Sequence, residues 1–78
     1  MAEFVVRGRV ERLSAKAFCA VVSAAPAGMQ PDLTVTVQKS IHRRERDAMA
    51  ACAEMIVTAT RAIRARGDRV AQVELDAP

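Results

Sequence analysis

Residues 43–67, RRERDAMAACAEMIVTATRAIRARG, decide the fold. They contain no proline, and their one glycine is the last residue. Met49, Cys52, Ile56, Ala59 and Ile63 recur at alternating steps of three and four, which lays them on one stripe of a helix. Ala48, Met55 and Ala62 widen the stripe, and Asp47, Glu54, Thr58, Arg61 and Arg64 fall opposite. Alanine, arginine, glutamate and methionine all favour helix. Arg61, Arg64 and Arg66 sit where the macrodipole favours cations, and Gly67 supplies a left-handed stop. The start is placed near Arg43, with Ser40 as a candidate N-cap. Such a helix would span about 36 Å, close to the length of a ten-residue strand. It therefore suits one small sheet.

Outward from the helix, the flanks read as strands. Over residues 3–12, Phe4, Val6, Gly8 and Val10 alternate with Val5, Arg7, Arg9 and Glu11, the period of a sheet with one buried face. Gly8, on the inward side, marks a bulge or a close approach of the helix. Residues 13–16 read as a turn. Residues 17–25 can be read two ways. As a strand, Phe18, Ala20, Val22 and Ala24 point in, and Cys19, Val21 and Ser23 point out; as a helix, Ser14 is the N-cap. The β-branched and aromatic cluster favours strand. Residues 26–32 carry two prolines and a glycine and read as a loop. In Leu33–Lys39, Leu33, Val35 and Val37 are expected inward, with Thr34, Thr36 and Gln38 on the solvent side. Residues 69–76 form a last strand.

The expected fold is thus α+β in one domain, residues 1–78. A three-stranded antiparallel meander is followed by one long helix on one face and a short fourth strand, β-β-β-α-β. The helical reading of 17–25 gives βαβαβ instead. In its order of elements the chain resembles antitoxins of the HicB family, and its sheet and helix are similar to those of double-stranded-RNA-binding domains. That resemblance is one of topology and implies an antitoxin-like or accessory interaction module.

Composition narrows the classes. A chain of 78 residues buries only about 60–65% of its unfolded surface, and oligomerisation is a common remedy for so thin a core. No apolar run is long enough to cross a membrane, and the N-terminal stretch lacks an apolar core of the secretory kind, so a cytoplasmic location is expected. The alanine, arginine and valine bias suits a GC-rich bacterial genome. Cys19 and Cys52 are expected reduced, and with one histidine they make no zinc pattern. No cofactor motif is present.

The formal charge is +3, with ten arginines and two lysines. Arg43, Arg44 and Arg46 cluster at the helix start, where backbone N–H groups also attract anions. Arg7 and Arg9 would extend that surface across the outer sheet face, beside Thr34, Thr36 and Gln38. Glu45, Asp47 and Glu11 dilute the cluster, and a solvated basic face accounts for it most simply. Nucleic acid and an acidic protein partner are the alternatives. Ser40, His42 and Asp47 can be drawn as a triad, but geometry defines a triad, and His42 reads as an exposed loop residue. The chain therefore reads as a non-enzymatic, homodimeric protein-interaction module, with nucleic-acid binding through the basic helix start as the second reading.

Overall fold

The computed structural model describes residues 2–28 and 36–76. The strands are β1 (Glu3–Ser14), β2 (Ala17–Pro26), β3 (Thr36–His42) and β4 (Arg69–Asp76), and the helix is α1 (Glu45–Ala65). The strand reading of residues 17–25 therefore holds, and the βαβαβ arrangement does not form. The sheet order is β3-β2-β1-β4. β1 pairs antiparallel with β2, and β2 with β3. β4 pairs with β1 in parallel, so the four-stranded sheet is mixed rather than wholly antiparallel. The cause is the helix. It carries the chain back along the sheet, so β4 must leave in the direction β1 took.

α1 packs chiefly over β1 and β2. Phe4, Val6, Val10, Ala20, Val22 and Ala24 from the sheet meet Ala48, Cys52 and Ile63 from the helix. Met49, Met55, Ile56, Ala59 and Phe18 pack around that centre. The periodic stripe is thus the buried seam. Gly8 lies beneath it. A Cβ there would stand 2.7 Å from Cys52 Sγ and 2.8 Å from Ile56 Cδ1. Gly8 is a close approach, and the missing side chain is what lets the helix settle.

The helix ends as its glycine demands. Gly67 has φ +86°. Its N–H donates to the Arg64 carbonyl at 3.0 Å, and that of Asp68 to the Ile63 carbonyl at 3.3 Å, the paired bonds of a Schellman cap. The start falls close to Arg43, as the sequence places it, but its cap differs. Ser40 is inside β3, and the N-cap position is Arg44, whose side chain makes no capping bond.

Two further readings need correction. Leu33, Thr34 and Val35 lie outside the described residues, and β3 runs on to His42. Gln38 was expected on the solvent face beside Arg7 and Arg9. It pairs with buried Val22 and lines a cleft with Phe4, Ala24, Ala59 and Ile63, so it is on the helix side. The helix crosses β1 and β2 and leaves the inner face of β3 as a wet rim, where a polar residue costs little. In β4 the register shifts after the Phe4–Val70 pair, so Val5 meets Gln72 and Ala71 is skipped. Val70, Val73 and Leu75 consequently share the helix side, while Gln72, Glu74 and Asp76 share the other, which strict alternation does not give.

Candidate interaction surfaces

The structure separates the arginines that the sequence grouped. Arg43 and Arg44 occupy the bend between β3 and α1, and Arg46 lies in the first helical turn; all three are exposed. Arg7 and Arg9 lie mid-sheet on the opposite face and are already engaged. Arg7 Nε donates to Glu74 Oε2 at 2.6 Å, and Arg9 Nε is 2.7 Å from Glu11 Oε1. They do not extend the helix-start cluster.

Other cations do. Arg12 and His42 both pair with Phe18, one on each side, so the register sets Arg12, Phe18 and His42 in a row across the sheet end. Lys16 is in the adjoining β1–β2 turn. The Arg12 guanidinium stands 6.0 Å from the centre of the half-buried Phe18 ring. One end of the molecule therefore gathers Arg12, Lys16, Arg43, Arg44 and Arg46 around an aromatic edge. Reading along the chain missed Arg12 and Lys16, which only the hairpin brings there.

His42 is the last residue of β3 rather than a loop residue. Its Nε2 lies 2.8 Å from Ser40 Oγ. Among the described residues no carboxylate is bonded to the ring, so Ser40 and His42 form a pair and Asp47 does not complete it. Likewise, no group of metal-ligating side chains occurs among the described residues, and no helix there is long and apolar enough to cross a membrane.

Both cysteines are free and buried. Cys52 is closed in by the helix and by the Arg9 and Val21 carbonyls, at 3.9 and 4.0 Å. Burial pushes its thiol pKa up. The folded chain then holds that proton more tightly than the unfolded chain does. Stability is therefore full on the acid side of the ordinary thiol titration and falls as the pH rises through it. Urea unfolding is expected to show a lower midpoint at alkaline than at neutral pH, and the Cys52→Ala variant to lose that component.

The flank of α1 beside β4 is apolar and open. Val57 is 53% exposed, Val73 50% and Leu75 45%. Leu75 pairs with Gly8, on which Ile56 rests, so these side chains share one trough on the helix side. Ile56, Val57, Thr60, Arg61 and Arg64 line a shallow depression along the adjacent flank of α1. Exposed Leu13 and Ile41 lie elsewhere, on β1 and at the far edge.

No protein-family model matches this chain, and no curated protein or solved structure matches it.

Proposed function

We propose that this chain is a non-enzymatic interaction module that works as a homodimer. The observation that carries the reading is the trough between α1 and β4. Scattered exposed apolar residues are ordinary, but three large ones on a single flank of so small a domain favour a covering partner. Among the described residues the sheet also ends in β3 and β4, two edges whose outer backbone groups have no strand beside them. Sedimentation equilibrium or light scattering over a concentration series is expected to give twice the chain mass. A monomer at the highest concentration overturns the reading.

A second reading is nucleic-acid contact through the basic end, favoured by the arrival of Arg12 and Lys16 beside Arg43, Arg44 and Arg46. Phosphate contacts release counterions, so binding must weaken steeply with salt. The Arg43/Arg44/Arg46→Ala variant is expected to lose affinity for a DNA or RNA duplex and to flatten the log–log salt slope by up to about 3. Arg7/Arg9→Ala is expected to leave the slope unchanged, because those guanidiniums already face Glu74 and Glu11. Equal binding by wild type and the triple variant removes this reading.

A further inference from the structure

We infer that the second copy seats through α1 itself, antiparallel to its counterpart, about a two-fold axis at Val57. This rests on the homodimer reading above and adds its interface. On the exposed side of α1, Ala50, Ala53, Val57 and Thr60 follow at steps of three, four and three, a second stripe beside the buried one. Between Arg46 and Arg64, which continue it at either end, its residues are small except for Val57, so another helix can approach there to the usual 8–10 Å between axes. A helix at that distance covers Val57 and the open flank of α1 around it, with each copy's own sheet on the side of its helix away from the contact. The two-fold then closes the Val57 flank of both copies together.

Charge selects the antiparallel direction. The acidic residues of α1 are Glu45, Asp47 and Glu54, all in its first half, whereas Arg61 and Arg64 lie in its second half and Arg66 at its C-cap. Arg43, Arg44 and Arg46 offset the acidic residues of the first turn, so the contrast rests on Glu54 against Arg61. Among the described residues no ion pair engages Glu54 or Arg61. With the axis at Val57, Glu54 comes opposite the partner's Arg61, offset along the helix by only about 1.5 Å. Both pairs form at once by symmetry, and the macrodipoles oppose. A parallel arrangement would instead set Arg61 beside the partner's Arg61. A standard interface takes about 800 Å² per partner, roughly a seventh of the 5234 Å² surface. The 21-residue helix with the adjoining strand offers a flank about 32 Å long for it.

The test is a charge-swap cycle with a cross-link. Glu54→Arg and Arg61→Glu are each expected to raise the dimer dissociation constant about tenfold or more, because like charges then face one another. The double variant E54R/R61E is expected to return to within a few-fold of wild type. Both positions of substitution are exposed, and circular dichroism verifies that α1 persists. With oxidised glutathione as the oxidant, Val57→Cys is expected to form a disulfide-linked dimer, since the two thiols meet at the axis. A dimer that ignores both single changes, or that the double variant fails to restore, overturns the helical interface and leaves self-association standing. A monomeric wild type overturns both.

Discussion

Replacing Gly8 by valine is expected to leave the domain largely unfolded, and replacing it by alanine to lower its melting temperature by about 5–20 °C. The hydrogen at Gly8 faces the place where α1 comes nearest the sheet. A methyl group there would stand 2.7 Å from Cys52 Sγ and 2.8 Å from Ile56 Cδ1. The two neighbours can respond differently. Ile56 is only partly buried, and its terminal carbon can rotate toward the open trough. Cys52 is fully buried and short, with Val6 and Val22 filling the space around it, so the helix must lift to accommodate the methyl. Overpacking of this kind costs about 1–3 kcal/mol. A domain of this size has only about 4–12 kcal/mol to lose, and valine brings two further carbons. Thermal unfolding followed by circular dichroism measures both variants. The Gly8→Ala/Cys52→Ala double variant is expected to be more stable than the two single losses predict, because it gives the methyl the room the sulfur held. A Gly8→Ala protein melting with the wild type would mean that α1 does not rest there.

The place of that glycine was legible in the sequence, and so was the seam above it. An inward position in a period-two strand, occupied by hydrogen alone, has few explanations other than a close neighbour or a bulge. The helical stripe and the Gly67 stop were equally plain, because each depends on residues three or four apart. What escaped was set by pairings between distant residues. The alternation of its own strand sends Gln38 to the solvent face, and nothing local says that the helix passes beside β3 rather than over it. The skipped Ala71 reverses part of β4, and a one-residue slip is invisible without the partner strand. Along the chain Arg7 reads as a free cation, although Glu74, 67 positions later, sits against it. Arg12 and Lys16 went unnoticed for the converse reason. They look scattered along the chain and become neighbours of Arg43 and Arg44 only through the β1–β2–β3 register.

Three apolar residues of α1 then separate what holds one copy together from what holds two. Ile63→Ala is expected to cost about 2–5 kcal/mol at every protein concentration. Its side chain is 4% exposed and packs in the core with Phe4 and Ala24, and its own carbonyl helps to close the Schellman cap. Ile56→Ala is expected to cost less. Its side chain is partly exposed, and the void it leaves opens to solvent instead of remaining sealed. Val57→Ala is expected to change almost nothing in dilute solution, because half of that side chain is in water already. At high concentration the ranking changes. Binding of a second copy to the folded state alone raises apparent stability with concentration, so the wild type should melt higher as it is concentrated. Ile63→Ala should run parallel below it, and Val57→Ala should gain much less. Melting curves at several concentrations measure all three slopes. If Val57→Ala rises as steeply as wild type, the copies meet elsewhere, while a large loss for Ile63→Ala still places the seam between α1 and the sheet.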